Sequence, residues 1–121
     1  MRGFAEELCG VKRADAATAI SAPELAGRIA RGEDVLVVDV REPHELAISS
    51  LAGALHMPLA TVPQRAHELP LSRMLVLMCH RGSRSQKALE MLSALGFTQL
   101  RNLSGGIDAW SREVDPKVPR Y

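Results

Sequence analysis

Cysteine is scarce in this chain: 121 residues contain two, Cys9 and Cys79. Two thiols do not make a disulfide scaffold at this length, so the fold has to rest on an apolar core. No Cys-x-x-Cys or His-x-x-x-His spacing occurs, which leaves a structural zinc site without support. No cofactor or metal is expected. Net charge is nearly absent at +1, and the Lys and Arg residues are scattered rather than clustered. That argues against a nucleic-acid or membrane surface. No apolar run approaches the roughly 20 residues needed to cross a bilayer. The start of the chain, Met1 to Leu8, lacks the apolar core of a signal peptide, so a cytoplasmic location is expected by default.

What is present is enough apolar material, 46% of residues, for one core in one domain. Residues 1–19 have weak periodicity and read as a tail or linker; residues 20–121 read as the domain, including a tail interrupted by Pro116 and Pro119. Ser21-Ala22-Pro23-Glu24 has the pattern of a capping box, with Pro in the first turn. A short helix carrying Leu25, Ala26 and Ile29 should follow and stop at Gly32. Val35 to Val40 and Met74 to Met78 are continuous apolar runs, the signature of strands buried on both faces. Ala54 to Met57 and Gln99 to Leu103 read as shorter strands. Helices are predicted over Thr61 to Leu69, over Ser85 to Leu95 with apolar residues at helical spacing, and from Gly105-Gly106 onward with Ile107 and Trp110. The segment between Val40 and Ala54 reads as polar connection. Strands alternating with helices of this length make an α/β domain with a mainly parallel sheet. Function in such sheets gathers at the carboxyl ends of strands, and Cys79 stands at one.

The stretch Cys79-His80-Arg81-Gly82-Ser83-Arg84-Ser85 puts that cysteine between a strand and a helix. Backbone N–H groups at a helix start are unused by the helix and can converge on an anion. Gly82 permits the tight turn, and Arg81 and Arg84 add positive charge. Helix dipole, N–H donors and arginines would together favour a thiolate at Cys79. An ionised thiol needs no general base, and none is evident nearby.

These residues resemble the rhodanese family of sulfurtransferases. The motifs that carry the likeness are Val38-Asp39-Val40-Arg41-Glu42 with Glu45, then Gly53-Ala54 with Pro58, the Cys79 loop, and Leu103-Ser104-Gly105-Gly106-Ile107-Asp108-Ala109-Trp110. The resemblance implies one rhodanese-like α/β domain with helices on both faces of the sheet. It also implies a sulfane sulfur carried as a persulfide on Cys79, with His80, Arg81, Gly82, Ser83 and Arg84 binding the donor. Four residues separate Cys79 from Arg84. Cysteine phosphatases, the rival reading together with arsenate reductases, have five, so the shorter loop favours sulfur. The ends are similar to the sulfurtransferase part of adenylyltransferase/sulfurtransferase fusions. That similarity implies a ubiquitin-like sulfur carrier or an adenylyltransferase as partner, and a non-catalytic persulfide relay as an alternative function. The donor would be a small anion such as thiosulfate or a protein persulfide.

Around the loop, Asp39, Arg41 and Trp110 are candidates for a supporting layer. Asp39, at a strand end, is expected to anchor backbone N–H groups, and Arg41 to pair with Glu45 at the surface or rim, with contact to substrate as the alternative. Trp110 is expected to pack in the core, with a pocket wall as its second possibility. His56 reads as a satisfied sheet residue, and His44 and His67 as surface residues. His80 could donate to substrate or face solvent. Cys9 is expected to be a linker thiol, with a resolving role as the alternative.

Overall fold

Val35 to Val38 and Met74 to Met78 offer water no polar face, so they can persist only as strands covered on both sides. The computed structural model, which describes residues 18–121, places them side by side at the centre of a sheet. The strands are β1 (Ala19–Ile20), β2 (Val35–Asp39), β3 (Leu55–His56), β4 (Met74–Met78) and β5 (Leu100–Leu103). Their spatial order is β1-β5-β4-β2-β3, and every pairing is parallel. The register of β2 on β4 runs from Val35 opposite Met74 to Asp39 opposite Met78. Both strands therefore end at the same edge, with Asp39 beside the residue that precedes Cys79.

Five helices cover the sheet: α1 (Ala22–Ala30), α2 (Pro43–Ile48), α3 (Val62–Arg65), α4 (Ser83–Ala94) and α5 (Gly106–Glu113). Two apolar clusters lie on its two faces, because successive strand residues point opposite ways. Leu75, Leu77 and Cys79 join Val62, Ala88 and Leu92 in one cluster. Val76 and Met78 join Leu25, Ile107 and Trp110 in the other. The cysteine thus continues the alternation of β4 onto the α4 side.

Local signals account for most boundaries. The Ser21 hydroxyl caps α1 by accepting the Glu24 N–H at 3.1 Å. Glu24 does not complete the box; its carboxylate takes Arg28 at 3.3 Å instead. The helix predicted over Thr61–Leu69 is a single α-turn between two 3-10 turns, Leu59–Thr61 and Ala66–Glu68. The Thr61 hydroxyl bonds the Pro58 carbonyl at 2.7 Å, and Arg65 sits at φ −106° and ψ 1°, outside helical values. Helix α4 starts at Ser83, two residues before its predicted start, directly after the left-handed Gly82. The stretch read as polar connection contains α2. Pro43 occupies its first turn, and Glu42 and Glu45 cap each other reciprocally. The expectations for Cys9 and for most of the leading segment lie outside the described residues.

Candidate active site

Strand β4 delivers Cys79 to the carboxyl edge of the sheet, 1% exposed. Gly82 turns the chain with φ +118° and aims its N–H at the sulfur, 3.0 Å from Sγ. That angle is why glycine stands here; a side chain would find room but not a comfortable backbone. Helix α4 then begins, so its unused N–H groups and the positive end of its dipole face the loop. Buried Ser85 brings its hydroxyl to 3.3 Å from Sγ. The same hydroxyl lies 2.6 Å from Asn102 Oδ1 and 3.2 Å from the Gly82 carbonyl. Asn102 Nδ2 donates to the Gly82 carbonyl and to Gln86 Oε1, both at 3.1 Å, which turns Oδ1 toward Ser85. The Ser85 hydroxyl has one proton and can direct it either to Asn102 or to the sulfur.

Helix α5 secures the loop from the other side. Its Ile107 N–H donates to the Cys79 carbonyl at 2.9 Å and its Asp108 N–H to the His80 carbonyl at 3.1 Å. Such contact requires close approach. A Cβ on Gly106, which has φ +60°, would overlap both carbonyls. Gly105-Gly106 is therefore a docking seat for the backbone of Cys79 and His80 as well as a helix start.

The charged groups are arranged differently from the expectation. Arg41 does not meet the Glu45 carboxylate at a rim. It is fully buried, and its guanidinium grips Asp39 through Nε at 2.9 Å and Nη2 at 2.7 Å. Asp39 also accepts the Arg41 backbone N–H at 3.0 Å, the anchoring role read for it from the sequence. Burial works against the Arg41 charge, but its bonds to Asp39 and Tyr121 outweigh that and raise its pKa. The Glu45 carboxylate instead takes Arg84 in a two-pronged pair at 2.7 and 2.9 Å. The Glu42 N–H and the Tyr121 hydroxyl fill its remaining acceptor sites, at 3.0 and 2.7 Å. The Arg84 fork holds Glu45 far below the usual carboxylate range despite its burial, and Glu45 raises Arg84 in turn. Arg84 thus stands in the first turn of α4 with its charge already compensated. Arg81 is exposed and has neither hydrogen bond nor ion pair among the described residues. Ser83 is exposed at the first position of α4.

His80 stacks on Tyr121, with centroids 3.9 Å apart and planes 6° from parallel. Its Nε2 is buried without a partner. His56 Nε2 meets the Arg41 carbonyl at 2.7 Å, and His44 and His67 are exposed, as the sequence suggests. Trp110 packs in the cluster opposite the Cys79 side chain. The wall it forms belongs to another place, a groove of about 830 Å³ between α1, α2 and the segment 115–119, whose lining includes no residue of the Cys79 loop. Ser85, Asn102 and Tyr121 are the residues that sequence reasoning does not assign to the site. Asn102 carries one signal, a polar residue inside a strand that is otherwise closed by Leu100 and Leu103.

A buried sulfur with an N–H and a hydroxyl in reach, one compensated arginine and one free arginine form an arrangement suited to a small anion. Similar proteins fit that picture. A protein called sulfurtransferase from Allochromatium vinosum is 40% identical over 99 residues, which cover 82% of this chain and 92% of that one. The probable adenylyltransferase/sulfurtransferase MoeZ of Mycobacterium tuberculosis is 34% identical over 123 residues; the match covers 96% of this chain but 31% of that protein. The crystal structure of a rhodanese-related protein from Thermoplasma volcanium superposes with a TM-score of 0.74 at 32% identity, covering 85% of this chain and 98% of that one. Residues 21–113, from the α1 cap to the end of α5, match the rhodanese-like domain, and the chain belongs to that family.

Proposed function

We propose that this rhodanese-like domain transfers sulfane sulfur through a persulfide on Cys79. The observation that carries the reading is the setting of Sγ, with the Gly82 N–H at 3.0 Å and the Ser85 hydroxyl at 3.3 Å at the start of α4. In the first half-reaction the Cys79 thiolate attacks the outer sulfur of a donor such as thiosulfate. A Cys–S–S bond forms, the donor's S–S bond breaks, and sulfite departs with the electron pair. In the second, a thiophilic acceptor such as cyanide takes the outer sulfur and Cys79 leaves as thiolate. Charge and electrons balance in both steps without a redox partner. The donors that suit a thiolate, N–H and O–H groups, suit a terminal persulfide anion equally. In this reading His80, Arg81, Gly82, Ser83 and Arg84 form the cradle for the donor, with Arg81 attracting anions from the rim. Asp39 and Arg41 brace it from behind.

Thiosulfate should add the mass of one sulfur to the protein, and Cys79→Ser should abolish the addition. A mass shift that persists in Cys79→Ser would sink the assignment. A second reading has support from the fusion relatives: the domain relays persulfide sulfur to a ubiquitin-like carrier activated by an adenylyltransferase. It predicts slow turnover with cyanide and tight association with such a partner.

A further inference from the structure

Tyr121 lies beyond the residues that match the family. It is also the only tyrosine in the chain. The segment that carries it runs back along α5. The Ser111 hydroxyl donates to the Val118 carbonyl at 2.8 Å, and Arg120 Nε pairs with Asp108 at 2.9 Å. These tethers bring Tyr121 to the Cys79 loop. Its ring lies flat on His80, the residue next to the cysteine, at 3.9 Å. Its hydroxyl donates to Glu45 Oε2 at 2.7 Å and accepts from Arg41 Nη1 at 2.9 Å. One side chain therefore joins three separate parts of the site: the peptide beside the cysteine, the carboxylate that clamps Arg84, and the buried Arg41. A tyrosine that served packing alone would need one partner for its hydroxyl, and water could supply it. Here both partners are charged and both already belong to the site.

We propose that Tyr121 is a positioning residue for sulfur transfer, its ring fixing His80 behind the nucleophile and its hydroxyl fixing the Glu45–Arg84 clamp. The proposal rests on Cys79 as the sulfur carrier. The displacement needs Sγ in line with the donor's S–S bond. The direction of Sγ depends on the backbone of Cys79 and His80, which α5 holds through two carbonyls and Tyr121 holds through the His80 ring. Without the stack, that ring and its peptide lose their outer support. Errors of position near 1 Å can cost about 10²-fold in rate, so partial loosening should cost about tenfold.

The test measures persulfide formation in a single turnover, by mass, for wild type, Tyr121→Ala and Tyr121→Phe across donor concentrations. Alkylation of Cys79 by iodoacetamide is followed in parallel. Tyr121→Ala should lower the maximal rate about tenfold, while the half-saturating thiosulfate concentration moves less than about twofold. Tyr121→Phe keeps the ring on His80 but loses the hydroxyl's hold on Glu45, and its rate should fall between those of wild type and Tyr121→Ala. A maximal rate in Tyr121→Ala within about twofold of wild type overturns the proposal, and so does a Tyr121→Phe variant as slow as Tyr121→Ala. If wild type accepts no sulfur, the sulfurtransferase reading fails separately. The alkylation rate then decides, and an unchanged rate in Tyr121→Ala rules the positioning role out. Should Tyr121→Ala fail to fold, the wild-type phenol supplies the measurement. As the sole tyrosine it can be titrated by its own absorbance before and after alkylation of Cys79. The groups facing it are His80, Glu45 and Arg41, with Arg84 and Asp39 behind them. A phenol indifferent to alkylation of Cys79 overturns the proposal; a displaced titration supports it.

Discussion

The Cys79 loop and the clamp behind it both hold charge at a fixed place, but with different materials. The loop uses mostly backbone: around the sulfur the partners are close in sequence, Gly82 three residues from Cys79 and Ser85 six, and from further along the chain α5 adds two backbone N–H groups. The clamp uses long side chains from distant segments. Arg84 and Glu45 are 39 residues apart, and Arg41 and Tyr121 are 80. The loop gains its precision from chain connectivity, so little has to be immobilised to make it. The clamp has to immobilise rotamer-rich arginines and a glutamate, and it succeeds because every acceptor site is filled. The loop should therefore fail by local strain, and the clamp should fail by exposing an uncompensated charge.

The largest effect should come from breaking the clamp at its buried end. Arg41→Leu leaves the Asp39 carboxylate, 2% exposed, without its guanidinium. Removing one member of a buried pair typically costs about 3–5 kcal/mol. Denaturant unfolding should show a loss of that size, and adding Asp39→Asn should recover part of it. A loss below about 1 kcal/mol would mean that Arg41 is no more than a surface ion pair.

The loop is the second target. Gly106→Ala drives a Cβ into the carbonyls of Cys79 and His80, and backbone cannot yield as a flexible side chain can. With the positive φ added, the loss should be about 2–3 kcal/mol, and sulfur loading should fall with it. If the variant is as stable as wild type and equally active, the seat that α5 provides is not what fixes the cysteine.

The same contrast explains what could be read from the chain. The two central strands, the helix after Cys79 and the cysteine loop are visible because their signals are local: β-branched runs, helical spacing, a glycine between arginines. The partners of Arg41, Glu45 and Arg84 are not, because many residues of opposite charge could meet each of them until the topology sets Asp39 beside Met78 and brings Glu45 to Arg84. Arg41 and Glu45 are four apart, a spacing that pairs charges along a helix. Arg41 precedes α2, however, and its guanidinium turns back to the strand end instead. Helix α2 itself was legible in principle from Pro43 and the reciprocal glutamates, but six residues carry no apolar periodicity. Strand β1 has two residues, too few for any pattern. Tyr121 had no local signal at all, because its position is set by Asp108 and Ser111 through the fold of the segment that follows α5.

The smallest effect concerns the Glu45 end of the clamp and is read through pH. Glu45 has its folded-state pKa depressed, chiefly by Arg84. A depressed carboxylate adds stability that is fully present above its unfolded value of about 4.3 and is lost as pH falls through its folded value. The wild type should therefore exceed Glu45→Gln in unfolding free energy by a constant amount at neutral pH, on the order of 1–3 kcal/mol for a charged, multiply bonded group. The gap should begin to close below about pH 5 and continue closing toward pH 2. Asp108, Glu33 and Glu68 are also held low by arginines, so the absolute acid limb reports all of them. Those groups are common to both proteins and cancel in the difference, which leaves Glu45. A gap that stays constant from neutral to acid pH would show that the carboxylate is no more ionised in the folded state than in the unfolded chain. The attraction of Arg84 would then do no more than offset the burial of the carboxylate, and the clamp would add no net electrostatic stability.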